Sequence, residues 1–320
     1  AVYSILDGFA LGIGCAAPFA RDGAGADRLV RHIAPFWEVN EVWMVMGVGF
    51  LFGAFPSVFA MLLPIFYLPF MATIAAFIMR AAAIEFSYHD PARAKRWRIL
   101  LGLGSFLASI SAITALGFMI QGLPFTGPGT VGGVFLTAGI AAFPLLFGLS
   151  GVALLVWHGM VFAAWKGQGG VFPRASRVVW AAALGLSAVV SCLRVAQDPD
   201  LLARPLVWAG GAIFFLGILL SRVFVSAGPW PFRATTMAIT GFWIATAAGL
   251  YPMLLPARND VSWGISIRDA AAPASSLTIL VAATPALILL IIGYNCLIHS
   301  VIRRPDRRGR GREESSWKNG

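Results

Sequence analysis

Charged residues are scarce in this chain. Aspartate, glutamate, lysine and arginine make up 12% of its 320 residues, whereas 58% are hydrophobic and the mean hydropathy is +0.80. A soluble globular domain carries roughly 25% charged residues. The composition therefore excludes that class and indicates a protein that lies largely within a membrane.

Cysteine is also scarce, and the three cysteines present are scattered. Cys15, Cys192 and Cys296 form no CxxC or CxxCH motif. This spacing gives no support for a disulfide framework, a zinc site or a covalently attached haem. We therefore predict no metal site and interpret each cysteine as a small apolar packing residue.

Long apolar runs, in contrast, recur down the whole chain. A helix needs about 20 predominantly apolar residues to cross the ~30 Å hydrocarbon core of a bilayer. Nine runs of that kind follow one another, at residues 1–20, 42–63, 65–88, 99–121, 134–165, 178–197, 205–225, 234–256 and 276–300. The sequence predicts an all-α, polytopic membrane protein. We expect a single transmembrane domain over residues 1–300 and a basic tail over residues 301–320.

The basic residues alternate between the two sides of this layout. Nineteen of the 24 lysines and arginines lie in or beside the first, third, fifth and seventh connections and the C-terminal tail, and four lie at the even-numbered connections. Because basic loops stay in the cytoplasm, we predict a cytoplasmic C-terminus and an N-terminus outside. The net charge of +10 then reflects orientation and lipid-headgroup contacts, and we predict no nucleic-acid partner.

Ionisable side chains within the spans are candidates for function, because burying one is costly unless it has a partner or water. Asp7 lies in the glycine-rich stretch LDGFALGIG (6–14), where a helix-packing hydrogen bond is the alternative interpretation. Arg80 and Glu85 lie five residues apart in FIMRAAAIEF (77–86), which misses the favoured i, i+4 geometry. They are either an ion pair that reaches the membrane interface or part of a functional site.

The stretch APFWEVNEVWMVMG (34–47) places Glu38 and Glu41 one helical turn apart, between Trp37 and Trp43. In one interpretation the acids mark a helix start, where they suit the macrodipole, and the tryptophans mark the membrane interface. In the other, the paired carboxylates form a cytoplasmic entrance for protons. Spacing alone favours the first interpretation.

Histidine supply limits the redox chemistry that this chain can perform alone. Of its four histidines, His32, His89 and His299 lie at span edges, and His158 lies deep within a span. A six-coordinate b-type haem needs two axial ligands that face one cavity. We therefore predict that the chain ligates no haem by itself and that His158 is a hydrogen-bonded packing residue.

Several stretches together resemble subunit II of the cytochrome bd-type quinol oxidases, including the cyanide-insensitive branch. They follow the family's order and cover most of the chain. They are LDGFALGIG (6–14), APFWEVNEVWMVMGVGFLFGAFPSVFA (34–60), FYLPFM (66–71), FIMRAAAIEF (77–86), MIQGLPF (119–125), WHGM (157–160), LYPMLLP (250–256) and IRDAAAPASSLTIL (267–280). The first two are the most specific.

The resemblance implies a heterodimer in a bacterial inner membrane that oxidises quinol and reduces dioxygen to water. In this family the main quinol site and the haems belong to subunit I. The resemblance implies haem b and leaves open whether haem d is also present. A small third subunit is also left open. Subunit II scaffolds subunit I and conducts cytoplasmic protons, so this chain would hold no catalytic residue and bind no cofactor.

The resemblance also implies site residues by position. Trp37, Glu38 and Asn40 match the family's Trp-Asp-Gly-Asn segment, with Glu in place of the commoner Asp. Arg80 and Glu85 match an arginine and an acid in the third span. The predicted proton pathway therefore comprises Asp7, Trp37, Glu38, Asn40, Glu41, Arg80 and Glu85.

The chain departs from the family at one acid. Asp7 matches the first acid of the family's DGFD pattern, but Ala10 stands at the second. A proton step that rests on this second acid is therefore absent or rerouted.

A proton-coupled secondary transporter is the other function class considered for these buried acids. Such transporters are typically built from repeats with broken helices at corresponding positions. No such pair is evident in the sequence.

Overall fold

The computed structural model describes residues 1–127, 130–131, 142–172, 175–223 and 228–302, with residues 38, 295 and 298–302 described by their backbone alone. Within these residues the chain is mostly helical. The helices are α1 (Val2–Leu6), α2 (Gly8–Ala16), α3 (Gly23–Ala54), α4 (Pro56–Ile65), α5 (Tyr67–His89), α6 (Ala94–Gln121), α7 (Ala142–Trp165), α8 (Ala175–Gln197), α9 (Pro205–Val223), α10 (Trp230–Leu250), α11 (Ile267–Ala270) and α12 (Ala274–Ile302). The strands are β1 (Phe125–Gly127), β2 (Thr130–Val131), β3 (Met253–Leu255) and β4 (Ile265–Ser266).

The helices confirm a helical, polytopic membrane protein. Among the described residues, six helical segments are long and apolar enough to cross a membrane. A seventh is added if the end of α3 and α4 count as one bent span. The first predicted span is broken into α1 and α2, and α10 is not among the six. The predicted nine spans are therefore not reached by length and composition alone.

The second predicted span, residues 42–63, agrees to within three residues with the bent candidate span Val39–Ala54 plus Pro56–Ile65, but the helix that contains its first half starts far upstream. Helix α3 begins at Gly23 and runs for 32 residues, because its first half alternates charged residues with apolar ones that are buried, such as Leu29 and Ile33. Its second half meets α4 at Phe55 with a bend of 119°. Pro56 is the first residue of α4, and a proline at that position is tolerated because it needs no intrahelical donor.

Residues 1–271 form one compact unit, and α7 is its most buried candidate span. Helix α2 approaches α7 closely because glycines face each other there. A Cβ atom on Gly159 would lie 2.6 Å from the backbone nitrogen of Ile13. Small residues at such contacts let membrane helices come together, and the approach places the N-terminal helices against the core.

Two short β hairpins lie in the connections that follow α6 and α10. Strand β1 pairs with β2 and β3 pairs with β4, both antiparallel. The two connections are joined by two backbone hydrogen bonds, in which the Leu123 N–H donates to Pro256 and the Arg258 N–H donates to Leu123. The Asn259 amide also donates to the carbonyl oxygen of Phe125 at 3.0 Å. The end predicted for the eighth span, residue 256, is corrected, since α10 stops at Leu250.

Residues 272–320 form a second unit. Its described part is α12, whose start agrees with the span predicted at residues 276–300 and whose candidate membrane segment is Ala274–Tyr294. The predicted division of the chain at residue 300 stays a prediction.

Candidate functional site

A buried ion pair lies between the N-terminal helices and α5. Arg80 Nη1 donates to Asp7 Oδ2 at 3.1 Å, and the two side chains are 1% and 0% exposed. Removing two charges from water is expensive, and their mutual attraction offsets this only with good geometry and further hydrogen bonds. Such a pair inside a membrane protein is a functional candidate by default.

Two neighbours complete the surroundings of Asp7. The Tyr3 hydroxyl donates to Asp7 Oδ2 at 2.9 Å, and the Asn40 amide donates to the carbonyl oxygen of Leu6 at 2.6 Å while also facing the Asp7 carboxylate. Tyr3 was not predicted from the sequence. Its position four residues before Asp7 on a helix is the signal that could have found it.

Asp7 stands at a break between two helices. Helix α1 ends at Leu6 and α2 begins at Gly8. The carbonyl oxygens of the residues just before the break accept hydrogen bonds from side chains of other helices, Leu6 from Asn40 and Ile5 from His158 at 3.2 Å. Irregular backbone is tolerated in a membrane where neighbouring helices bind its polar groups, so α3 and α7 stabilise the break that carries Asp7.

His158 is fully buried and both of its ring nitrogens are engaged. Nε2 donates to the Ile5 carbonyl, and Nδ1 lies 2.6 Å from the Thr235 hydroxyl. The ring stacks on Phe232, with centroids 4.6 Å apart. The prediction of a hydrogen-bonded packing histidine is confirmed.

The turn with the two acids lies deep in α3 and not at its start. Glu38 is 15 residues from Gly23, about 22 Å along the helix at 1.5 Å per residue. The helix-start interpretation of Glu38 and Glu41 is therefore wrong. Trp37 packs partly buried against a cluster that includes Val30 and Ile84.

Glu41 belongs to the surroundings of the buried pair. It lies close enough to interact electrostatically with both Arg80 and Tyr3. Glu38 occupies the neighbouring position of the same turn, and its side chain lies outside the described residues.

Glu85 lies apart from this cluster. Its side chain is 71% exposed, and its carboxylate is 3.7 Å from Nδ1 of His89. Arg80 is paired with Asp7 instead, so the interpretation of Arg80 and Glu85 as an ion pair at the interface is wrong. The sequence spacing could not reveal this, because the actual partner of Arg80 is 73 residues away.

Part of the hydrogen-bonding capacity of the pair is unused. Asp7 Oδ1 and the Nε and Nη2 atoms of Arg80 are buried and have no partner among the described residues, and neither has the Ser109 hydroxyl. Tyr3, Phe77 and Ser109 line an adjacent cavity of about 320 Å³. The pair therefore retains atoms that can exchange hydrogen bonds with a mobile group such as water.

Metal chemistry has no support in the described part of the chain. There, no group of three or more histidine, cysteine, aspartate or glutamate side chains could hold a metal ion.

The helices and the buried Asp7–Arg80 pair place this chain in the class of polytopic helical membrane proteins that bury an acid–base pair between their helices. Comparison with known proteins then gives the family. The family model described as cytochrome bd terminal oxidase subunit II matches residues 1–302. The chain belongs to this family, and is thus a membrane-spanning subunit of an oxidoreductase complex of aerobic respiration.

Individual relatives agree along nearly the whole length. Cytochrome bd ubiquinol oxidase subunit 2 of Bacillus subtilis (strain 168) is 24% identical over 320 residues, covering 94% of this chain and 92% of the relative. Cytochrome bd-I ubiquinol oxidase subunit 2 of Escherichia coli (strain K12) is 22% identical over 339 residues, covering 91% and 88%. The solved bd oxidase of Geobacillus thermodenitrificans shares the fold, with a TM-score of 0.72, 17% identity and 94% of both chains covered.

Proposed function

We propose that this chain is the accessory subunit of a quinol oxidase that oxidises quinol and reduces dioxygen to water. It pairs with a haem-bearing subunit I, which it scaffolds, and conducts cytoplasmic protons toward the dioxygen site of that partner. The chain holds no catalytic residue of its own. Its membership of the cytochrome bd subunit II family supports the assembly, and the buried Asp7–Arg80 pair supports the proton role.

The proton route uses the acids in sequence. Glu85, exposed at the end of α5, collects protons, and Glu38 and Glu41 take them into the helices. The Asp7–Arg80 pair receives them next, because its free atoms can bind a proton-carrying water. Trp37 and Asn40 hold this turn of α3 and the α1–α2 break in place.

Glu41 takes the place of the missing second acid. Ala10 stands where the family's DGFD pattern has a carboxylate, and Glu41 lies within electrostatic reach of Arg80. A carboxylate near this arginine is therefore retained, but α3 supplies it and not α2. This is the rerouted step.

Haem belongs to the partner in this proposal. The family's cofactors are haem b, with haem d left open. In this chain His158 is buried among the helices, and both of its ring nitrogens are already hydrogen-bonded. Quinone and membrane lipids are further partners, and a small third subunit is left open.

The proposed location is the bacterial inner membrane, crossed nine times. The six long apolar segments, the bent α3–α4 pair, the broken α1–α2 helix and α10 together make nine spans. The alternation of basic connections supports an N-terminus outside and a cytoplasmic tail over residues 301–320.

Replacing Glu38 by glutamine tests the proton role. Glutamine keeps the shape of the side chain and removes the titratable group, so Glu38→Gln should lower oxygen consumption by the purified oxidase on the order of 100-fold, the size typical of a positioned proton-transfer group. The reduced-minus-oxidised haem spectrum should stay as in the wild type. Glu38→Asp should restore most of the turnover.

A matched control is Asp200→Asn, which removes an exposed acid near the start of α9 and should leave turnover unchanged. Wild-type oxygen consumption in Glu38→Gln would refute proton entry through this residue. The assembly is tested separately by co-purification, since a colourless chain without a haem-bearing partner would contradict the oxidase and favour a transporter.

A further inference from the structure

A cavity open to the surface lies at the end of the helices opposite the β hairpins. It has a volume of about 340 Å³ and is bounded by four helix ends. Trp165 closes α7 and Arg222 lies at the end of α9, while Ser176 and Pro231 lie in the first turns of α8 and α10. This cavity is remote in sequence from the Asp7–Arg80 site and has no part in the proton route.

The polar part of the cavity is positive. Arg222 lines it together with Ser176 and Ser221, and no acidic residue of the described chain does so. Within the described residues, Arg222 forms no ion pair with a carboxylate. The two helix N-termini at the cavity are offset by the C-termini of α7 and α9, so its positive charge comes from Arg222. The cavity therefore favours an anion.

The remainder of the cavity wall is apolar. Trp157, Val161 and Phe172 line it and are buried, at most 5% exposed. The indole N–H of Trp157 already donates to the Ser221 hydroxyl at 2.8 Å, so the indole presents carbon to the cavity. An occupant that covers this wall must carry a hydrocarbon part next to its anionic group.

The surroundings are those of a membrane boundary. Lys166 Nζ lies 4.2 Å from the centre of the Trp165 ring, and the Arg233 guanidinium lies 4.9 Å from that of Trp230. Tryptophans with neighbouring lysines and arginines mark the level of the lipid headgroups. Basic pockets between membrane helices at this level bind anionic lipid headgroups.

We propose that this cavity is a binding site for one anionic phospholipid. The lipid phosphate binds Arg222 and Ser176 at the rim, and the beginning of an acyl chain covers Trp157, Val161 and Phe172. The volume equals that of about eleven water molecules at ~30 Å³ each, enough for a phosphodiester group and its first methylenes. The apolar wall favours a lipid over a phosphate ion from solution.

The test is native mass spectrometry of the intact oxidase, purified in detergent and incubated with equal amounts of phosphatidylglycerol and phosphatidylcholine. The wild-type complex should retain phosphatidylglycerol in preference. Arg222→Gln should reduce this retention about fivefold, the effect of one basic residue near an anionic surface, and Arg222→Lys should retain most of it. Ala164→Leu, which fills the cavity without changing charge, should reduce it as well.

The control is Arg96→Gln, which removes an exposed arginine from the start of α6, on the same predicted side of the membrane but outside the cavity. It should retain phosphatidylglycerol as the wild type does. Equal retention in the wild type, Arg222→Gln and Ala164→Leu would overturn the proposal. Displacement of the lipid by millimolar inorganic phosphate would also overturn it, because the site would then bind an aqueous anion.

Discussion

The ion pair between Asp7 and Arg80 lowers the free-energy cost of burying each of the two side chains. Neither is more than 1% exposed, and an isolated charge in that position would be far more costly than the pair. The Tyr3 hydroxyl shares the bonded carboxylate oxygen, so the negative charge is held by two donors. The unbonded carboxylate oxygen is where the site can accept a proton, whereas the unbonded guanidinium N–H groups can only donate hydrogen bonds, for example to water.

Asp7→Asn should destabilise the protein strongly. The asparagine deprives the buried Arg80 of its hydrogen-bonded counter-ion, a change that typically costs about 3–5 kcal/mol. The thermal unfolding midpoint of the purified complex should fall accordingly. Adding Arg80→Leu to this variant should recover part of the loss, because the uncompensated charge is then gone.

The matched comparison is Asp90→Asn, which breaks an ion pair with Arg93 at 3.1 Å whose arginine is 62% exposed. Exposed pairs contribute about 0–1 kcal/mol, so this variant should unfold near the wild-type temperature. An Asp7→Asn variant as stable as Asp90→Asn would contradict the assigned geometry.

For individual residues, the sequence predicts which ionisable side chains are candidates for function, but it does not predict which of them form an ion pair. Asp7 and Arg80 stood out because charge is rare in apolar spans. Their pairing depends on how α2 and α5 lie against each other, which no local spacing encodes. Glu85 was the nearer candidate partner of Arg80 along the chain, yet it lies on the exposed side of α5.

Among the elements, close helix contacts depend on glycine. At the α2–α7 contact the backbone of Ile13 occupies the space that a side chain on Gly159 would need. Gly159→Ala should therefore push the helices apart and lower the free energy of unfolding by about 1–3 kcal/mol, the usual cost of overpacking. The thermal unfolding midpoint of the complex measures this loss.

Gly185→Ala, within α8, is the control for that substitution. A Cβ atom there meets nothing within 4 Å, and alanine in a helix is favoured over glycine by about 0.5–1 kcal/mol. This variant should be at least as stable as the wild type. Equal effects of the two substitutions would show that the α2–α7 contact is looser than described.

Hydropathy predicts the bounds of helices that lie wholly in apolar sequence. It does not predict the bounds of a helix that extends beyond its apolar run, or a bend within such a run. The predicted bounds of α5, α6, α8 and α9 agree with the structure to within a few residues. The predicted span at residues 42–63 does not include the first half of α3, because that half is amphipathic and carries charge. The bend at Phe55 was missed, since an apolar run continues across it and only the backbone changes direction.

For the whole molecule, the topology is the property most open to test. Fusions after Gly167, in the fifth connection, and after Asp200, in the sixth, should report opposite sides of the membrane. We expect green fluorescent protein to fluoresce when fused after Gly167 and alkaline phosphatase to be active when fused after Asp200. The reason is that the fifth connection is richer in basic residues than the sixth. The reverse pattern would invert the proposed orientation.

The distance in sequence between Asp7 and Arg80 has a consequence for the synthesis of the protein. Asp7 enters the membrane 73 residues before its partner, and an aspartate at the centre of a helix costs about 2.5–3.5 kcal/mol on insertion scales. We therefore expect the segment that carries Asp7 to be less stable in the bilayer until α5 is inserted beside it. A nascent chain that stalls before Arg80 would leave this segment free to slip out, and cellular proteases could then distinguish unfinished chains from complete ones.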